Sequence, residues 1–202
     1  RLVESGDIRG GLGKTAFIHG LAGIAADRIL AVGLGKADKL TLARFDRACL
    51  AAGKVLRDHP LRECHVHLHE AEVDGVDVAR RLRQAALAIH RANYLYTTTK
   101  PLKDDAPAPL KSASFQGGAE LQPAIDEASA FAAGYEKARL LGDLPPNICN
   151  PADLAQDAAA IAQNHERVEL EILEEEDMAD LGMDALLGVS RGSANAARLI
   201  IL

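Results

Sequence analysis

The sequence predicts an α/β protein in three parts: a first domain over residues 1–117, a connector helix over 118–144, and the beginning of a second α/β domain over 145–202. Three observations predict it. Short apolar runs that alternate like strands are interleaved with segments of helical period, the order expected of sheets covered by helices. Apolar residues make up 48% of the chain but aromatic residues only 3%, with no Trp, so the core must be built from Leu, Ile, Val and Ala. Finally, Pro145-Pro146 stands between one long helical pattern and the next, where two missing backbone donors and the restricted residues before them stop a helix.

In chain order, Lys14 to His19 and Arg28 to Leu34 read as strands. The second, R-I-L-A-V-G-L, is nearly continuous in apolar residues and is expected to be central in a sheet; the turn His19 to Gly23 separates the two. Leu42, Phe45, Cys49, Ala52 and Leu56 then share one helical face, with Thr41 as N-cap and Leu40 placed to staple Phe45. Glu63 to His69 alternates as a strand, and Val78, Leu82, Ala85, Ile89 and Ala92 return to helical spacing. Tyr94 to Lys100 is extended, Asp104 to Pro109 is a loop kept out of helix by proline, and Leu110 to Phe115 is a further strand. Leu121, Ile125, Ala128, Phe131, Ala132, Tyr135 and Ala138 mark the connector helix.

Beyond the prolines a helix restarts at once. Asn150 suits the N-cap, Pro151 the first helical position, Asp153 the positively polarised first turn, and Cys149 and Leu154 the staple positions. A helix over Ala152 to Asn164, a strand over Val168 to Leu173, an acidic short helix over Glu174 to Leu181 and a last strand over Arg198 to Leu202 follow. No internal repeat is visible.

Several motifs invite a chemical reading and have a plainer one. Arg9-Gly10-Gly11-Leu12-Gly13-Lys14-Thr15 has the composition of a phosphate-binding loop, but that mechanism needs a buried strand before it and a helix N-terminus after it. Leu2 to Asp7 does not read as a buried strand, and the helical pattern breaks by Gly20, so the stretch reads as a hairpin-like surface turn and a P-loop ATPase stays a remote alternative. Gly33-Leu34-Gly35 lacks the third glycine of a dinucleotide fingerprint. His65, His67 and His69 would project from one strand face and could gather zinc; the plainer reading is a solvated face with Val66 and Leu68 turned inward. Arg80, Arg81, Arg83 and Arg91 could face DNA, or form the wet side of the helix that carries Val78, Leu82 and Ile89.

Composition narrows the classes further. A formal charge of −6 argues against a chain that wraps nucleic acid over its whole surface, without excluding a local basic groove. No apolar run is long enough to span a bilayer and no signal peptide is visible, so no membrane partner is expected. Cys49, Cys64 and Cys149, odd in number and without C-x-x-C spacing, read as reduced thiols of a cytoplasmic protein. Arg1 in place of Met predicts a longer reading frame upstream.

P-P-N-I-C-N-P (Pro145 to Pro151), followed by L-G-M-D-A-L-L-G-V-S-R-G-S-A-N-A-A-R-L-I-I-L (Leu181 to Leu202), resembles the leucyl aminopeptidase family of cytosolic metallopeptidases. Its marks here are Gly182-Met183, Leu186-Leu187, a Gly-rich turn from Gly188 to Asn195, and the strand Arg198-Leu199-Ile200; Val32 to Lys36 matches a V-G-L-G-K stretch of the family's first domain. Two places depart from the pattern: Arg139-Leu140-Leu141-Gly142-Asp143 stands for the usual Arg-Asp-Leu-x-Asn, and Ala196-Ala197 for a common Pro-Pro.

The resemblance implies a macro-domain-like first domain with a sheet flanked by helices, then a catalytic domain in which two divalent metal ions, zinc or manganese, activate a water against the first peptide bond of a peptide. It also implies a homo-oligomer, a hexamer, with DNA binding as a further or regulatory activity of some bacterial members. The family's first metal ligands belong to a V-G-K-G-x-x-F-D motif that follows the strand matched by Arg198 to Leu202, and others to N-T-D-A-E-G-R. Neither motif occurs in these 202 residues. No catalytic, cofactor-binding or metal residue is therefore assigned, and no bound metal is expected on this chain.

Overall fold

In the computed structural model, which describes residues 4, 6, 8–103 and 110–202, the chain packs as two units, residues 1–138 and 139–202. The first opens with an antiparallel pair, Thr15–His19 (β1) and Arg28–Val32 (β2), in register from Thr15 opposite Val32 to His19 opposite Arg28. Among the described residues β2 has this one partner, and it is not the central strand that its apolar run suggests. Each of its residues is half-buried or exposed, because a helix lies against the pair and leaves its other face open.

That helix, Leu42–Arg57 (α1), starts at Thr41, whose Oγ1 accepts the Arg44 amide at 3.4 Å. Of the expected face Phe45, Cys49, Ala52 and Leu56 are buried, with Ala48 and Gly53 added, while Leu42 in the first turn is half-buried. Leu40 and Phe45 belong to one core cluster, as a staple requires.

Glu63–Val66 (β3) and Ser112–Phe115 (β4) pair in parallel, joined by Val78–Asn93 (α2) in a strand–helix–strand unit. The loop expected over Asp104 to Pro109 lies outside the described residues. Asp77 caps α2 by accepting the Arg80 amide at 2.8 Å. Leu82, Ala85, Ile89 and Ala92 are buried as their spacing predicts, whereas Val78, in the first turn, is 39% exposed because α2 has not yet reached the core there.

α1 and α2 meet closely. Gly53 is buried at the crossing, and a Cβ there would stand 2.6 Å from Ala92 Cβ and 3.0 Å from Ile89 Cα. Polar contacts frame the seam: Gln84 Nε2 donates to Asp46 Oδ1 at 2.5 Å and Arg57 donates to the Ala92 carbonyl at 3.3 Å.

The connector is one helix, Gln122–Asp143 (α3), and the division between the two units falls within it. Its buried ridge is Ala124, Ala128 and Ala132. Phe131 and Tyr135, expected on the buried face, are 53% and 43% exposed. They sit one step round the helix from the alanine ridge, and the Arg91 guanidinium covers the Tyr135 ring at 5.3 Å.

In the second unit α3 ends before Pro145, whose carbonyl accepts the amides of Ile148 at 2.9 Å and Cys149 at 3.0 Å. Pro151–Asn164 (α4) then begins with a reciprocal cap: Asn150 Oδ1 accepts the Ala152 amide at 2.9 Å, and the Asp153 carboxylate accepts the Asn150 amide at 3.0 Å. Glu171–Leu173 (β5) and Leu199–Ile201 (β6) form an antiparallel pair, each shorter than its apolar run. Between them lie Glu175–Asp180 (α5) and Asp184–Ser190 (α6). The sequence reading has no counterpart of α6 and places Gly188 in a turn. The helix instead carries through Gly188, closing with the Arg191 amide on the Leu187 carbonyl at 3.2 Å, and the turn follows it.

Two substitutions test these joints. Asn150→Ala leaves first-turn amides of α4 unpaired and should lower stability by about 1 kcal/mol, with Asn150→Gly costing less, read as urea midpoints. Equal midpoints for wild type and Asn150→Ala would show that the cap carries no load. Gly53→Ala should also destabilise, by roughly 1–3 kcal/mol of overpacking that outweighs its better helix propensity; a raised midpoint would contradict the close crossing.

Candidate functional site

The two glycine-bearing stretches of the first unit turn out to be partners. The Gly13 amide donates to the Gly33 carbonyl at 2.7 Å, the Gly33 amide to the Lys14 carbonyl at 2.7 Å, and the Gly35 amide to the Gly10 carbonyl at 2.8 Å. A Cβ on Gly33 would lie 2.1 Å from the Gly11 carbonyl oxygen, so only glycine admits this approach. A phosphate cradle needs free amides ahead of a helix N-terminus. Here those of Gly13 and Lys14 are already bonded, the latter to the Gly11 carbonyl at 3.0 Å, and strand β1 follows, so the arrangement is the end of a hairpin.

The three histidines do not share a face. Pairing of β3 with β4 ends at Val66, His67 adopts φ −114° and ψ 3°, and a single 3-10 turn over Leu68–Glu70 rotates the chain. His69 is thereby 1% exposed; its Nε2 donates to the Gln116 carbonyl at 2.7 Å and its ring meets Phe115 edge-on at 5.7 Å. His65 and His67 stay at the surface, where hydrogen bonding from the His67 ring to Glu70 holds that carboxyl below its usual range.

Three of the four arginines of α2 are engaged by groups of the first unit. Arg81 reaches back to the carbonyls of His69 at 2.9 Å and Val76, Arg83 pairs with Glu127, and Arg91 pairs with Asp46 at 3.4 Å. Arg80 alone of the four is exposed. Cys49 is equally unsuited to chemistry: burial first, and the charge of Asp46 second, push its thiol up to about 12, leaving almost no thiolate at neutral pH.

In the second unit the approach to β6 is held by acidic residues at the start of α5, the N-cap Glu174 and Glu175. Arg198 pairs with Glu174 at 3.3 Å, and the Ala197 amide donates to Glu175 Oε1 at 2.8 Å. A proline at 197 has no N–H and could not make that bond. Among the described residues no three His, Cys, Asp or Glu side chains gather where they could hold a metal ion. The described residues therefore do not fit a metal pair.

Both halves of the chain match one family. Residues 1–103 match the N-terminal domain of the cytosol aminopeptidase family and residues 136–202 its catalytic domain, and the chain belongs to that family. Among curated proteins it is 40% identical to a probable cytosol aminopeptidase of Stenotrophomonas maltophilia, over 100% of this chain and 40% of that protein. It is 41% identical to one of Xanthomonas campestris, again over 100% of this chain and 40% of the relative. It thus spans about two fifths of the length of the curated relatives it matches. Among solved structures the bottromycin maturation enzyme BotP superposes with a TM-score of 0.81 at 25% identity, over 98% of this chain and 42% of BotP. A mutant of tomato leucine aminopeptidase shares the fold, with a TM-score of 0.78 at 23% identity over 98% of this chain and 39% of its own.

The glycine contact separates the hairpin from a nucleotide loop. Gly33→Ala should destabilise the chain by roughly 1–3 kcal/mol, because a backbone oxygen blocks the new methyl. Lys14→Ala should change stability by less than about 0.5 kcal/mol. Neither should alter nucleotide affinity, since none is expected; micromolar ATP binding in the parent that disappears with Lys14 would restore the phosphate reading.

Proposed function

We propose that residues 1–202 are the first domain and the opening of the catalytic domain of a metal-dependent leucyl aminopeptidase, which hydrolyses amino-terminal residues, leucine by preference, from peptides. The observation that carries this reading is the match of residues 136–202 to the family's catalytic domain. In it, residues 1–117 form the first domain, 118–144 the connector and 145–202 the start of the catalytic domain.

The enzyme in this reading uses two divalent ions, manganese or zinc; a structure of BotP in complex with Mn, which superposes with a TM-score of 0.81, supports the metal class. The described residues of this chain supply no ligand set for that pair, so no step of the reaction is assigned to them. Their part is structural. The α4 cap fixes the helix after the connector, and the contacts of Glu174 and Glu175 with Arg198 and Ala197 set the entry into β6.

The working assembly is proposed to be a homo-oligomer, a hexamer, in the cytoplasm, in keeping with the cytosol aminopeptidase names of its relatives. Among the described residues no helix is long and apolar enough to cross a membrane. DNA binding is the weaker reading, since Arg81, Arg83 and Arg91 are bound to carbonyls or carboxylates and the chain carries a net charge of −6.

The test is release of 4-nitroaniline from leucine 4-nitroanilide. The complete protein should be active with manganese or zinc, lose activity to a chelator and regain it on metal addition, while residues 1–202 alone should release none. Chelator-resistant turnover by the complete protein would refute the metal dependence, and metal-dependent turnover by residues 1–202 would place the ligands inside them.

A further inference from the structure

His65 and His67 lie together on the surface of the first unit, their ring centres 4.7 Å apart and their planes at 74°. Their hydrogen bonds determine which nitrogen each ring presents. His65 Nδ1 lies 2.8 Å from Ser114 Oγ, which also stands 3.3 Å from the Cys64 carbonyl, so Nδ1 is the nitrogen that the neighbouring strand engages. The other contact is simpler: the Glu70 carboxylate can only accept, so His67 Nδ1 donates across 2.8 Å. In neutral His67 the proton therefore sits on Nδ1 and Nε2 carries a free lone pair; His65 takes the same tautomer when Ser114 Oγ accepts.

That is the arrangement of metal-binding histidines, in which the nitrogen away from the ion donates to a carboxylate or another acceptor that fixes the tautomer and the ring. The spacing agrees as well. Two imidazoles on one ion, with metal–nitrogen bonds of about 2.0–2.1 Å and an angle of about 90–110° between them, hold their ring centres roughly 4.5–5.2 Å apart.

We propose that His65 and His67 form a two-imidazole site for a divalent transition metal of the copper, nickel and zinc class, separate from the metal pair proposed for the catalytic domain. His69 cannot complete it, because its ring is buried and its Nε2 is bonded to the Gln116 carbonyl. No third protein ligand is gathered there among the described residues, so the remaining positions fall to water. Such a site favours copper, the ion that imidazole binds most tightly among the first-row divalent metals, over zinc, whose structural sites take four protein ligands. Ser114 and Glu70 are positioning residues: they orient the two rings and do not touch the ion.

The probe is Cu²⁺, added to the untagged 202-residue chain and followed by calorimetry and electron paramagnetic resonance. One ion per chain with two coordinated nitrogens is expected. His65→Ala and His67→Ala should each weaken binding at least about 10-fold, and Glu70→Gln by about 10-fold at unchanged stoichiometry, the usual effect of removing an orienting partner. His165→Ala, which removes an exposed imidazole from the second unit, should have no effect. Both site histidines are exposed, so the variants should keep the wild-type melting temperature. Unchanged affinity in the His65→Ala/His67→Ala double variant, or a spectrum with one coordinated nitrogen, would overturn the proposal.

Discussion

The first unit depends on the crossing of α1 and α2 at Gly53. With 3% aromatic residues and no Trp, the chain has few large side chains with which to fill the space between helices. Its solution is to bring the helices together until small residues suffice. Ala48, Ala52, Ala85, Ala88 and Ala92 are all buried, and Phe45 and Leu82 fill the larger gaps. The residues that α3 buries are likewise alanines, Ala124, Ala128 and Ala132. Small residues contribute little transfer energy each, so such a core depends on close contact over long faces and tolerates added volume poorly.

The same steric economy explains glycines that resemble functional signatures. Gly10, Gly11 and Gly13 on one side and Gly33 and Gly35 on the other allow two stretches of backbone to approach within hydrogen-bonding distance. Each stretch alone has the composition of a nucleotide-binding loop. Together they satisfy one another's amides and carbonyls, and those of Gly13 and Lys14 are no longer available to an anion. Burial acts on the histidines in a similar way: one 3-10 turn takes His69 into the core and leaves His65 and His67 outside, so the three that alternate in sequence do not form one face.

The second unit is governed by its termini and corners. Its helix α4 is specified by a short local code, Asn150-Pro151-Ala152-Asp153, in which the cap closes on itself. Its strand pair is specified from a distance, because β5 and β6 lie about thirty residues apart in the chain and α5 bonds to the residues entering β6. The alanines at 196 and 197 belong to this second kind of control. Ala197 supplies an amide to Glu175 that the prolines common in the family do not have.

What the sequence determined by itself is what short-range chemistry controls. The helical faces of α1 and α2, the caps at Thr41 and Asn150, the stop at Pro145 and the family motifs from Pro145 to Leu202 all follow from residues a few positions apart, and periodicity or side-chain type is enough to read them. Tertiary structure alone decided how those elements meet. It left β2 with a single partner among the described residues, carried α6 through Gly188, put Phe131 and Tyr135 outside the buried ridge, and turned Arg81, Arg83 and Arg91 toward protein partners. Strand pairing and burial are properties of neighbours distant in sequence: Ser114 engages Nδ1 of His65 from 49 residues away. A pattern along the chain records what a residue can do, and the fold selects which of those possibilities has a partner.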